Sequence, residues 1–134
     1  MNEEKNKAFI REIFDSLNAG DPTLWIDRMS DDIVFSIIGT TKFSGVFNGK
    51  KDFLTRAMGV MQTLVEPGSA SLRIENLIAE GDYVVMLAEG TARTRTGQDH
   101  NNTYAMIFTI KDDKIVEIKE FIDTALVDRI FGPA

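Results

Sequence analysis

The order of apolar patterns along the chain predicts an α+β fold, with helices grouped against one face of a curled antiparallel sheet. Two observations carry this. The C-terminal half holds three apolar runs in succession, Tyr83–Arg93, Asn102–Ile110 and Ile115–Ile122, separated by turn residues such as Asp112-Asp113-Lys114. Runs rich in β-branched and aromatic residues between such turns read as a strand meander. The N-terminal half instead repeats apolar residues at helical spacing. Three helices cannot fill a strongly curved sheet completely, so a concave pocket between helices and sheet is expected.

Taken in order, Phe9, Ile10, Ile13, Phe14 and Leu17 form a one-sided stripe that predicts a helix over 4–18, closed by Gly20. Asp21-Pro22 opens a second, short helix carrying Leu24, Trp25 and Met29. Asp31-Asp32 turns the chain into Ile33–Ile38, apolar on both parities and so read as a strand covered on both sides. Residues 39–48 read as a loop. A third helix from Gly49 carries Phe53, Leu54, Ala57, Met58, Met61 and Leu64, and Pro67-Gly68 breaks it. Ser71–Ala79 alternates, with Leu72, Ile74, Asn76 and Ile78 on one side, as a half-buried strand does. After the meander, Thr124–Phe131 reads as a closing helical turn with Asp123, opposite in parity to Glu120, as its N-cap, the alternative being a site residue.

With 134 residues, the chain is expected to be one domain over 1–134. A net charge of −6 argues against general nucleic-acid binding, which needs a basic face. The absence of cysteine excludes thiol nucleophiles and zinc–thiolate sites, and one histidine excludes multi-His metal clusters. No metal and no organic cofactor is expected. The charged N-terminus leads to no apolar export segment, and no window is long enough to cross a bilayer, so a soluble cytoplasmic protein without a membrane partner is the expectation. Two carboxylates stand inside the meander: Glu89 in a run with hardly any charge, and Glu120 on the face of Val116, Ile118 and Ile122.

Several short motifs, in this order and spacing, carry a resemblance to a known family. They are Leu17-Asn-Ala-Gly-Asp21, Met29-Ser-Asp-Asp-Ile33, Gly39 with Ser44-Gly45 and Asn48-Gly49, Asp112-Asp-Lys-Ile115, and Lys119-Glu-Phe-Ile-Asp123. The chain resembles the NTF2-like superfamily, the cone-shaped fold of ketosteroid isomerase, limonene epoxide hydrolase and the SnoaL-like polyketide cyclases. Ketosteroid isomerase's proton-handling residues fall on Ile13, Met106 and Ile37, none of which can transfer a proton. The resemblance therefore implies a different reaction. The two aspartates of limonene epoxide hydrolase fall on Glu89 and Glu120, its arginine on Leu87, and its water-holding pair on Phe35 and Ile37. A carboxylate pair is implied without the bridging cation or the water cradle.

That alignment places Val85, Leu87 and Glu89 on the concave side, with Tyr104, Met106 and Phe108, and with Val116, Ile118, Glu120 and Ile122. Glu89 and Glu120 would face a ligand pocket walled by Trp25, Phe35, Ile37, Met58, Met61, Leu87, Tyr104, Met106, Phe108 and Ile118. Two carboxylates in one apolar cavity do not both ionise cheaply. Glu89, with Arg93 on its own strand face, is read as the ionised base or anchor, and Glu120 as the partner kept protonated. The alternative puts Glu89 with Arg93 or Arg95, and Glu120 with Lys119 or Arg73, in solvent. Tyr104 either orients a substrate oxygen or simply packs; His100 and Asn102 stand at a possible rim, exposed beside a turn or serving a proton at the pocket mouth. Three functions fit: an acid–base isomerase, hydrolase or cyclase for a small apolar or amphipathic molecule, a non-catalytic ligand-binding domain, and an interaction module. A homodimer through the sheet's other face is expected, because Met86, Ala88, Ala105, Ile107 and Phe121 would otherwise lie in water.

Overall fold

Phe9, Ile10, Ile13, Phe14 and Leu17 do form the inner stripe of the first helix, Asn2–Asn18, with Ile10, Ile13 and Phe14 buried. The computed structural model describes residues 2–134. Gly20, at φ +89°, adopts the left-handed conformation expected of it. The second helix, Thr23–Arg28, has Pro22 rather than Asp21 at its N-cap, and Asp21, one residue before it, accepts from the Thr23 N–H at 3.0 Å. The third helix runs over 50–64 and is π-helical between Phe53 and Ala57, with α-helical turns on either side. Asp123 caps the closing helix, Thr124–Phe131, accepting from the Leu126 N–H at 3.1 Å.

Six strands form one sheet: β1 (Met29–Ile37), β2 (Gly45–Asn48), β3 (Ser71–Glu80), β4 (Tyr83–Thr91), β5 (Asn102–Lys111) and β6 (Lys114–Ile122), in the order β2-β1-β6-β5-β4-β3. Neighbours are antiparallel except β1 and β6, which run parallel. Asp31 and Asp32 lie inside β1 rather than in a turn before it, and the register against β6 shifts between Met29 and Val34. Such a bulge absorbs the residues that would otherwise break the strand. Residues 45–48, expected as loop, form β2, whose four residues are too few to show a period. Phe47 is its one buried side chain.

The alternation of β3 is also interrupted. Its register against β4 shifts between Ile74 and Asn76, so the inward set is Leu72 and Ile74 and then Leu77 and Ala79, while Ile78 points outward and is 52% exposed. This edge strand is held to the first helix by Asn18, whose amide donates to the Leu72 carbonyl at 2.6 Å and accepts from the Leu72 N–H at 2.9 Å.

The parity of β4 differs from the sequence reading. Val84 pairs with Phe108, Met86 with Met106 and Ala88 with Tyr104. Directly paired residues share a face, so Val84, Met86 and Ala88 are the buried side of β4. Val85, Leu87 and Glu89 lie on the outer face, and Met86 and Ala88 are not part of it. The core is aromatic where the helices meet the sheet: Phe14 packs on Trp25 and Phe108, and Phe35 stacks on Phe53 with ring centroids 4.2 Å apart.

Candidate functional site

A cavity of about 330 Å³ opens between the three N-terminal helices and the sheet. Of the residues expected to line it, Trp25, Phe35, Ile37, Met58, Met61, Tyr104, Met106, His100 and Glu120 do so. Phe108 and Ile118 lie fully buried in the core, beyond the cavity wall. Leu87 is 38% exposed on the outer face. Phe14, Leu17, Asn18, Leu54 and Leu72 complete the wall. Sequence reasoning missed Phe14, Leu17 and Leu72 because it read their stripes as core, while Leu54 shares its helix face with Met58 and Met61.

Glu89 does not reach the cavity. Both of its carboxylate oxygens accept from Thr103 Oγ1 at 3.1 Å on the outer face, where Arg73 stands opposite on β3. The expected Glu89/Glu120 pair is therefore not formed. The physical reason is the register of β4 against β5: the Arg93–Asp99 bridge and the Thr94 N–H on the Gln98 carbonyl close a turn over 95–97 that pairs Glu89 with Thr103 on the outer face.

Glu120 is the one charged side chain among the described residues that line the cavity, unless His100 takes a proton. It sits on β6, a central strand, paired with Met106 on β5 and Ile37 on β1. Its own-face neighbours along the strand are Ile118 and Ile122. No salt bridge or hydrogen bond to its carboxyl is formed by the described residues. Its side chain borders the cavity, so it is only half-buried by surface, but it lies deep within the protein. Depth governs desolvation, and desolvation pushes its carboxyl from 4.5 up to about 7.

Tyr104 lies on the same wall, one pleat along β5 from the residue opposite Glu120. Burial, and then the Glu120 charge, push its phenol well above the ordinary tyrosine range. Tyr104 is therefore a neutral hydroxyl, and a neutral phenol returns no charge effect to Glu120. Its ring lies across Gly90, where an added Cβ would stand 2.5 Å from Tyr104 Cε1 and 3.2 Å from Leu72 Cδ2. Glycine in a strand interior here marks the close approach of a side chain.

His100 is buried, 6% exposed, and its ring meets the Phe131 ring edge-on at 4.9 Å. Burial lowers its pKa below the ordinary 6.5. Asn102 lies behind it, 2% exposed and outside the cavity wall. Among the described residues no group of three or more His, Cys, Asp or Glu is placed to hold a metal ion, and no helix is long and apolar enough to cross a membrane.

The fold is matched in known proteins. Residues 10–118 match the SnoaL-like domain family, well over half of the chain. The chain belongs to that family. A Burkholderia pseudomallei NTF2-like protein of unknown function is 15% identical, with a TM-score of 0.83 over 93% of this chain and 95% of its own. TerC, crystallised with polyporic acid, is 18% identical, with a TM-score of 0.80 over 93% and 96%. A Jannaschia sp. CCS1 protein named for SnoaL-like polyketide cyclases is 19% identical, with a TM-score of 0.78 over 98% and 95%. At these identities the likeness is one of fold, and it makes this SnoaL-like chain an NTF2-like α+β domain. No curated protein matches it.

Proposed function

We propose that this SnoaL-like domain binds a small, mostly apolar molecule bearing an oxygen function and moves a proton on it, with Glu120 as the acid–base group and Tyr104 as a hydroxyl donor. One observation carries this: a lone carboxyl, without a cation or hydrogen-bond partner, held at about 7 by an apolar cavity. A group that titrates near working pH both accepts and returns protons readily. The wall carries no Lys or Arg, which favours neutral or cationic ligands over anions. TerC's crystallisation with polyporic acid supports a small organic molecule as the occupant here as well.

At a ketone, ionised Glu120 would remove a proton from the carbon beside the carbonyl. The C–H bonding pair would form the C=C bond while the carbonyl π pair moves onto the oxygen as an enolate, which accepts from Tyr104, and the carboxyl would then return the proton to carbon. In deuterium oxide the net result is hydrogen–deuterium exchange. The test uses 2-acetylnaphthalene: exchange of its methyl hydrogens is expected with the natural protein and not with Glu120→Gln. Binding without exchange favours the second reading, a non-catalytic binding domain, for which the lack of a second carboxyl in the cavity speaks.

We also propose a homodimer through the outer sheet face. Leu87 and Phe121, 38% and 40% exposed, lie there with Ala105 and Ile107. Ile78 and Tyr83, 52% and 54% exposed, extend the apolar surface toward the edge.

A further inference from the structure

We infer that His100 presents a fixed Nδ1–H donor to the cavity for an oxygen acceptor on the ligand, with Asn102 as the positioning residue that sets the tautomer. The inference goes beyond the role given to Glu120 and rests on that reading only in taking the cavity as a ligand site.

The argument begins at groups whose polarity is not in question. Asn102 Oδ1 accepts from two backbone N–H groups, those of Thr103 at 2.7 Å and Asp123 at 3.0 Å. Asn102 Nδ2 donates to the Asp123 carbonyl at 3.2 Å. A backbone N–H only donates and a carbonyl only accepts, so the amide can be oriented in one way. The second hydrogen of Nδ2 then points at His100 Nε2, 3.2 Å away. Nε2 must accept, so it carries a lone pair and the ring proton sits on Nδ1. Protonation at Nε2 would set two donors against each other inside a buried cluster, and desolvation further opposes the charged ring.

Among the described residues Nδ1–H has no hydrogen-bond partner. Nor is it sealed in: Ser30 Oγ is the only enclosed side-chain polar atom without a partner among the described residues. His100 lines the cavity, and its unsealed Nδ1–H is the donor we assign to what fills it. The backbone N–H of His100 donates to the Ala92 carbonyl at 2.8 Å, and Phe131 packs against the ring, so the side chain is held from both ends. His100 and Tyr104 thus offer two neutral donors and Glu120 one exchangeable proton. This set suits a ketone, ester or quinone oxygen better than an amine.

His100 is the chain's only histidine, so nitrogen NMR of untagged, ¹⁵N-labelled protein at neutral pH reads the tautomer without assignment. The expected spectrum has a protonated Nδ1 and an unprotonated Nε2. Asn102→Asp, which replaces the donor by an acceptor, should move the proton to Nε2 or add a second one. A natural protein with Nε2–H or a doubly protonated ring overturns the inference, whatever the variant does. The donor role is read by comparing 2-acetylnaphthalene with 2-isopropylnaphthalene, which has nearly the same shape and no oxygen. The ketone should bind roughly 2–10-fold tighter, the worth of one neutral hydrogen bond. His100→Leu should shrink that preference, and His100→Asn, whose amide nitrogen reaches the Nδ1 position, should keep it. Equal binding of the two compounds, or no binding of the ketone, overturns the donor role. A Glu120 that titrates in the ordinary carboxyl range beside an Nδ1–H histidine would defeat the proton-transfer reading and leave this one standing.

Discussion

Glu120→Gln isolates the cost of holding a carboxyl in the cavity, and that cost has a definite pH signature. The folded-state pKa is raised, from 4.5 to about 7, by desolvation. Between those values the unfolded chain has released a proton that the folded protein still holds, so stability falls as pH rises through the window and levels off above it. At 1.36 kcal/mol per pKa unit, the penalty grows by about 2.5 kcal/mol between pH 5 and pH 8 if no water screens the site. Water in the open cavity reduces this, to no less than about 1 kcal/mol. Glutamine is not titratable and nearly isosteric, so any constant cost of burying its amide cancels in the comparison. Urea unfolding of both proteins at pH 5, 6, 7 and 8 should show the variant gaining on the natural protein by about 1 to 2.5 kcal/mol across that range. Parallel stability curves would refute the desolvated carboxyl. A natural protein that gains on the variant as pH rises would show that Glu120 is ionised and paired in the fold.

Three further outcomes are expected. His100 has a lowered folded pKa, so its contribution is intact above 6.5 and is lost as pH falls below it, where the unfolded chain takes the proton; His100→Asn should flatten the acid limb of the urea-derived stability curve, and an unchanged limb would mean the ring is solvated. Gly90→Ala drives a methyl into Tyr104 and Leu72 and should cost about 1–3 kcal/mol, as overpacking does, while weakening 2-acetylnaphthalene binding; an unchanged melting temperature and affinity would show that the ring is free to move. Sedimentation at micromolar concentration should give a dimer that Leu87→Glu dissociates, and a monomeric natural protein would reject the outer-face interface.

How far the sequence spoke for the structure depended on what set each register. Asp112 and Asp113, both at positive φ, make the two-residue turn that pairs Lys111 with Lys114. The turn sets only the starting register, which shifts by one residue between Thr109 and Ile110; the apolar alternation of its own strand is what places Glu120 correctly beside Ile118 and Ile122. Gly81-Asp82 makes the corresponding turn between Glu80 and Tyr83. Between Thr91 and Asn102 the two strands run on to an Arg93–Asp99 bridge around a wider turn with Gly97 at φ +89°, and a one-residue error across it put Glu89, Leu87, Met86 and Ala88 on the wrong sides together. A signal was present: a single charge in an apolar strand usually marks its wet face, and Gly90 marked the approach of Tyr104. The bulge in β3 was silent, since Asn76 fits either face of a half-buried strand. Asn102 could not be read as the residue that orients His100, because its partners Asp123 and Thr103 meet only once β5 and β6 are paired.

The most direct measurement is a titration of the Glu120 carboxyl carbon by NMR in ¹³C-labelled protein, assigned by its absence in Glu120→Gln. A midpoint near 7 is expected, from desolvation alone. A midpoint at or below the ordinary 4.5 would mean that the carboxyl is solvated or paired, and Glu120 would then hold no proton to give or take at working pH.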